Sequence, residues 1–104
     1  MNFLQTDVLV IGAGGAGMYA AITAAETGVS ILLLDKSVVG RSGATIMAQM
    51  TVAAAIDEPE QDHWGFHLAD TITAGRGLVD EPLARILCQS APDRIRQMDD
   101  WGVG

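Results

Sequence analysis

The chain has 104 residues, thirteen acidic and six basic side chains, and a formal net charge of −7. That length allows one small domain at most, while 49% apolar residues and a positive mean hydropathy exclude disorder caused by low hydrophobicity. The six bases are scattered, so neither nucleic acid nor an anionic membrane surface meets a basic footprint. A single cysteine, Cys88, cannot form an internal disulfide and fits a reducing compartment. The N-terminal apolar run is broken by glycines after a few residues and lacks a basic flank, so it reads as neither a signal peptide nor a membrane span. A soluble, cytoplasmic protein is expected, with no direct membrane insertion.

Residues 7–11 (DVLVI) form a short, β-branched, apolar run that stops at Gly12, the pattern of a strand buried on both faces. Small and apolar residues over 18–27 predict a helix packed closely on a sheet, with Gly28 at its C′ position. Residues 29–34 predict a second two-face-buried strand ending at Asp35. Strand, glycine turn, helix and strand over residues 6–35 make one α/β unit, a Rossmann-like βαβ with a right-handed crossover and parallel strands.

Residues 36–45 (KSVVGRSGAT) have neither helical nor alternating period and read as an extended functional loop. Residues 46–56 are alanine-rich and apolar, and periodicity leaves helix and coil both open. A helix is predicted over 60–74, with Trp64, Leu68 and Ile72 in one stripe and Phe66 beside it, stopped by Gly75 and Gly77. Asp80 then caps a helix that carries Pro82 in its first turn and Leu83, Ile86 and Leu87 on one face, running to Gln89. Ser90 and Asp93 predict the start of a further helix, with Pro92 early, Ile95 and Met98 inward, and Trp101 closing it before Gly102.

The chemical signal is Gly12-Ala13-Gly14-Gly15-Ala16-Gly17, a G-x-G-x-x-G set between a buried strand and a helix. Gly12 permits the tight turn, Gly14 lets backbone approach a pyrophosphate, and Gly17 permits close helix-to-strand packing. The helix N-terminus offers free N–H groups and the positive end of its dipole to phosphates. A flexible glycine turn is the competing explanation, but strand, helix and acid agree in placement. Asp35, 18 residues after Gly17, stands where a carboxylate accepts bonds from ribose hydroxyls, though a solvated strand-end acid would look the same. Its charge disfavours NADP. A nicotinamide-binding fold would enter another helix soon after the second strand; the long loop here favours FAD.

The GAGGAG turn, the LLLDK strand end, RSGAT with Gln49 following, His67-x-x-Asp70-Thr71 with Gly75, Leu78 and Asp80, and the closing Trp101-Gly102-Val103 carry a resemblance over nearly the whole chain. They resemble the flavoprotein subunits of the succinate dehydrogenase and fumarate reductase superfamily, which also contains L-aspartate oxidase and adenylylsulfate reductase. The resemblance implies the N-terminal portion of an FAD-binding domain over 1–104, with a flavin loop at 36–51 and a helical segment at 60–101. It implies that Gly12, Ala13, Gly14, Gly15, Ala16 and Gly17 hold the FAD pyrophosphate and that Asp35 and Lys36 hold the adenosine end. Arg41, Ser42, Gly43, Ala44 and Thr45, with Ala48 and Gln49, would line the riboflavin and isoalloxazine. Where many members carry a histidine bonded to the flavin this chain has Gly43, so FAD is expected to be non-covalent. Where many carry a glycine pair after the glutamine it has Met50 and Thr51, so succinate or fumarate is not implied as substrate. The RSGA spelling is closer to the adenylylsulfate reductase branch.

The superfamily transfers a hydride between flavin N5 and a substrate carbon, and its substrate-clamping histidine and arginines lie beyond the equivalent of Gly104. No catalytic residue is therefore expected in these residues; a small-molecule substrate would bind through a downstream region, and an iron–sulfur subunit is the partner that many relatives imply. The competing readings are a truncated or split product serving as a nucleotide-binding module, and a fragment of an NAD-dependent dehydrogenase.

His63, His67 and Asp70 share a helical face, yet no second cluster completes a metal site, and a half-buried helix explains them better. Cys88 reads as a small buried hydrophobe. Trp64, Trp101 and the methionines read as core or interface, and Arg85, Arg94 and Arg96 as a solvated face. Two strands that are apolar on both faces need more cover than the chain supplies, so the isolated 104-mer is expected to aggregate.

Overall fold

The β-branched and leucine-rich runs pair as predicted: Val8–Ile11 (β1) and Ile31–Leu34 (β2) are parallel, with Val8 opposite Ile31 and Ile11 opposite Leu34. Helix Gly15–Ala25 (α1) connects them and packs on both strands. The computed structural model describes residues 1–41, 43–48, 51–56 and 61–103. They fall into two units, Met1–Thr51 and Val52–Gly104.

In the first unit the strand starts are tied by side chains. Asp7 Oδ2 accepts from Ser30 N at 2.9 Å and from Ser30 Oγ at 2.8 Å, while Ser30 Oγ accepts from Asp7 N at 3.0 Å. Thr6 Oγ1 adds a bond to Ser30 O at 2.8 Å. These bonds fix the register that brings both strand ends to the same level. The helix starts three residues before its apolar pattern indicates, because its first turn is built from the glycine motif itself, and it ends two residues earlier, at Ala25.

The strands differ from expectation in burial. Val10 lies on the α1 side, within van der Waals reach of the Gly17 position, whereas Leu9 and Ile11 alternate to the other face and are 50% and 80% exposed. Helix α1 covers one face of this two-stranded sheet, and nothing among the described residues of the unit buries the other.

The second unit is built on two helices. Trp64–Gly75 (α2) starts where His63 Nδ1 accepts from Gly65 N at 3.0 Å, and it ends at Arg76, whose φ of 48° is left-handed. Glu81–Asp100 (α3) starts at Asp80, whose Oδ1 accepts from Leu83 N at 3.0 Å, as the capping pattern predicts. Leu68, Ala84 and Cys88 form the buried centre, with Trp64, Ile72 and Val79 packed against it. Cys88 is fully buried, and its Sγ lies 3.7 Å from Thr71 Oγ1.

Two expectations are corrected here. The predicted pair of helices over 80–101 is one helix, with Pro92 inside it. Its half-buried or buried positions Ala84, Cys88, Ala91, Ile95 and Met98 recur at intervals of four and three, so the inward stripe runs unbroken past the proline and packing outweighs one lost backbone bond. The apolar face marked by Leu83, Ile86 and Leu87 is exposed, because the smaller Ala84 and Cys88 occupy the contact with α2. Residues 45–56 are a single 3₁₀ turn at Thr45–Met47 followed, where described, by irregular backbone. No helix among the described residues is long and apolar enough to cross a membrane.

Candidate functional site

The site grows from the end of β1. Gly12 N donates to Leu34 O at 2.7 Å, the last rung of the ladder, and Gly12 then turns the chain with φ +106°. Such a φ is open to glycine at little cost. Gly14 is extended and serves as N-cap of α1 without a side chain to cap it. A Cβ on Gly17 would overlap the carbonyl oxygen of Gly12, so the helix lies against the turn at a distance only glycine allows. The tight turn at Gly12 and the close packing at Gly17 are thus visible as geometry.

Asp35 follows β2 and reaches across to the glycine turn. Its Oδ2 accepts from Ala13 N at 2.7 Å and its Oδ1 accepts from Ser37 N at 2.9 Å. One carboxylate therefore joins the turn after β1 to the segment after β2. Ala13 is fully buried beneath this contact.

Ile11, Gly12, Ala13, Gly14, Leu34, Asp35, Lys36 and Gly43 line a cleft of about 440 Å³ at the carboxyl ends of the strands. In open α/β sheets this is where ligands bind. The lining is largely apolar with one acid and one base, which suits a flat ring system attached to a ribose and a phosphate. A glycine cradle and a helix N-terminus whose N-cap residue has no side chain at one wall, with a carboxylate at the other, fit the adenosine and pyrophosphate of a dinucleotide.

The remaining predicted residues divide. Gly15 and Ala16 open the first turn of α1. Thr45 returns from the long loop to that turn, where its Oγ1 accepts from Gly15 N at 2.8 Å. Ala44 precedes it as N-cap of the 3₁₀ turn. Arg41 and Ala48 are exposed and stand outside the cleft lining; Arg41 N bonds Val38 O and Ala48 N bonds Thr45 O in local turns. Ser42 and Gln49 lie outside the described residues. Ile11 and Leu34 were missed as lining residues, although their position as the last apolar residue of each strand was a sufficient signal.

His67 Nδ1 is buried without a hydrogen-bond partner among the described residues, and His63 is used as the α2 cap. Among the described residues no group of three His, Cys, Asp or Glu side chains could hold a metal. The arginines make surface contacts: Arg85 lies 5.8 Å from the Trp64 ring centroid, and Arg96 bonds Asp93 Oδ1 at 3.5 Å and Ile56 O at 3.2 Å.

Parallel strands, a glycine turn opening into a helix N-terminus, and an acid at the end of the second strand define a dinucleotide-binding domain. Residues 7–104 match the FAD binding domain family, and the chain belongs to it. It is 37% identical over 97 residues to the succinate dehydrogenase flavoprotein subunit of Rickettsia bellii, covering 93% of this chain and 16% of that protein. It is 39% identical over 101 residues to a fumarate reductase (CoM/CoB) chain of Methanothermobacter marburgensis, covering 95% and 18%. With L-aspartate oxidase of Streptomyces coelicolor it shares 39% over 103 residues, covering 96% and 17%. Among solved structures, the apo Sdh1 complex of Mycobacterium smegmatis matches with a TM-score of 0.85 at 39% identity, over 93% of this chain and 16% of that one. The superfamily expected from the motifs is the one found, and the cofactor of this domain is FAD rather than NAD. The chain spans 16% to 18% of the length of these relatives.

Proposed function

We propose that this segment is the FAD-holding N-terminal part of a flavin-dependent oxidoreductase, and that the flavin is held without a covalent bond. The observation that supports this best is the junction of Asp35 with the glycine turn at the mouth of the strand-end cleft. A carboxylate has about four acceptor sites, so Asp35 can hold Ala13 N and meet a ribose hydroxyl together. Gly12, Ala13 and Gly15 commit their N–H groups to Leu34 O, Asp35 and Thr45, so the rest of the 12–17 turn and the positive end of the α1 dipole are assigned to the pyrophosphate, and Lys36 adds a positive charge at the adenosine end. Arg41, Ser42, Gly43 and Ala44, with Ala48 and Gln49, are assigned to the riboflavin side of the loop 36–51. The unit 6–35 binds, and the loop 36–51 shapes the flavin environment.

Bound FAD supplies the hydride-accepting N5 atom. The chain's own residues bind and orient; no side chain here is assigned a proton-transfer role. A small-molecule substrate is engaged by residues outside this segment, and an iron–sulfur protein is the electron partner in this reading. Gly43 offers no side chain for attachment to the flavin.

The test strips flavin from the protein that carries this segment and titrates it with FAD and with NAD. FAD is expected to restore flavin absorption and, at 100 times its Kd, to stabilise by about 2.7 kcal/mol, while NAD does neither. Greater stabilisation by NAD would overturn the reading. Acid denaturation of the holoprotein is expected to release all its flavin; yellow colour retained on the polypeptide would refute non-covalent binding.

A further inference from the structure

The ladder between β1 and β2 is four residues long, and a carboxylate closes it at each end. At the amino ends, Asp7 Oδ2 accepts from Ser30 N at 2.9 Å and from Ser30 Oγ at 2.8 Å. Asp7 N donates in return to Ser30 Oγ at 3.0 Å and to Ser30 O at 3.2 Å. Ser30 O also takes Val8 N at 3.1 Å and Thr6 Oγ1 at 2.8 Å, so every polar group of Ser30 is spent on residues 6–8. At the carboxyl ends, Asp35 Oδ2 accepts from Ala13 N at 2.7 Å. Each carboxylate thus crosses from its own strand to a backbone N–H beside the other strand.

A pair this short needs both ends pinned. Parallel pairing is the less stable kind per residue, and an isolated pair of strands is marginal. A slip of one residue would move β2 by ~3.3 Å against β1 and reverse its faces. No bond of 2.7 Å between Asp35 and Ala13 survives such a shift. We propose that Asp7 and Ser30 are positioning residues for the cofactor: by fixing the register at the amino ends of the strands, they hold the junction of Asp35 with Ala13 in its binding geometry. This rests on the FAD reading above. Asp7 and Ser30 stand five positions before Gly12 and Asp35, roughly 16 Å along the strands, and neither lines the cleft. Their effect therefore runs through population. In molecules whose strand pair has frayed or slipped the junction is missing, and apparent affinity falls by the fraction that keeps it.

The experiment uses the flavoprotein carrying this segment, freed of flavin, with FAD as the probe. Ser30→Ala and Asp7→Asn are each expected to raise the Kd for FAD roughly threefold to tenfold, a range open to positions that touch no ligand. Amide exchange over residues 12–17 should quicken in both, while Ser30→Thr, which keeps the hydroxyl, should restore affinity and protection. Once Asp35→Ala has removed the junction, adding Ser30→Ala should change the Kd by less than about twofold. A lowered melting temperature with unchanged Kd and unchanged exchange would make the clamp purely structural and overturn the proposal. The same loss of affinity with and without Asp35 would show a different route and overturn it as well. If Asp7→Asn fails to fold, Ser30→Ala decides, since it leaves the backbone bond from residue 30 N to Asp7 in place. Wild-type protein that binds no FAD would instead sink the FAD reading, and the proposal with it.

Discussion

Asp35 accepts a hydrogen bond from Ala13 N at 2.7 Å, so the acid expected to meet the ribose also holds the phosphate-binding turn. Its second oxygen takes Ser37 N at 2.9 Å, and removing the carboxylate therefore releases backbone on both sides of the cleft. Asp35→Ala is expected to weaken FAD binding by about tenfold or more, from the loss of bonds to a charged acceptor. It should also lower the melting temperature without FAD. Asp35→Asn keeps one acceptor oxygen and should fall between the two. Isothermal titration and melting curves test this, and an Asp35→Ala protein with an unchanged Kd would refute it.

Two glycines that look alike in sequence are expected to respond differently to the same added methyl. At Gly17 the new Cβ would overlap the Gly12 carbonyl, which is backbone and cannot swing aside. Gly17→Ala should cost at least about 3 kcal/mol, the upper end of overpacking penalties. At Gly43, φ is +80° and nothing among the described residues lies within 4 Å of the added atom. Gly43→Ala should cost only the left-handed strain, about 1–2 kcal/mol. Urea unfolding of both variants measures the gap, and equal costs would refute the close contact at Gly17.

These contrasts explain which features are legible from sequence. The βαβ unit can be read because its signals are local: β-branched runs, a glycine string and an acid at a strand end. The turn at Gly12 and the close packing at Gly17 follow from spacing, and the structure shows both. The tie between Asp35 and Ala13 cannot be read, since it depends on parallel register bringing two strand ends level. The bond from Gly15 N to Thr45 Oγ1 is equally invisible, because a loop's return path has no periodicity. The break expected between Gln89 and Ser90, just ahead of Pro92, fails for a different reason: a local breaker loses to an inward stripe that extends on both sides of it.

The clamp between Asp7 and Ser30 carries a pH dependence of known sign. Hydrogen bonds from Ser30 N and Ser30 Oγ hold the Asp7 carboxyl below its ordinary 3.8. A depressed folded pKa means that the unfolded chain takes up the proton first as pH falls. The stabilisation is thus fully present above 3.8 and is lost as pH drops through the lower folded value. Asp7→Asn removes the titrating group, so its melting temperature relative to wild type should converge as pH falls below 3.8. Ser30→Ala removes only the Oγ bond and should flatten the same acid limb in part, because the bond from residue 30 N, the larger cause, remains. Because Asp7 is exposed, added salt should weaken its effect only modestly, as hydrogen bonds rather than distant charges cause it. Parallel curves for wild type and Asp7→Asn across that range would refute the assignment.

Pro92 offers the last test, and its outcome depends on which of two costs is larger. Inside α3 it has no N–H to give Cys88 O, four residues earlier, and its ring crowds that carbonyl. Pro92→Ala restores the donor and removes the crowding, and alanine is the better helix former by up to about 3 kcal/mol. Against this, Pro92 is half-buried beside Ala91 and Ile95, so the smaller side chain gives up some packing. The ring carbons lost from a partly exposed site cost less than the backbone terms return, at ~0.8 kcal/mol per fully buried methylene. Pro92→Ala is therefore expected to stabilise the protein by about 1–2 kcal/mol in urea unfolding, from the balance of those terms. Pro92→Gly, which restores the same N–H but disfavours helix by about 1 kcal/mol relative to alanine, should gain correspondingly less. If both variants destabilise, the proline ring is a packing element of the helix pair rather than a tolerated interruption.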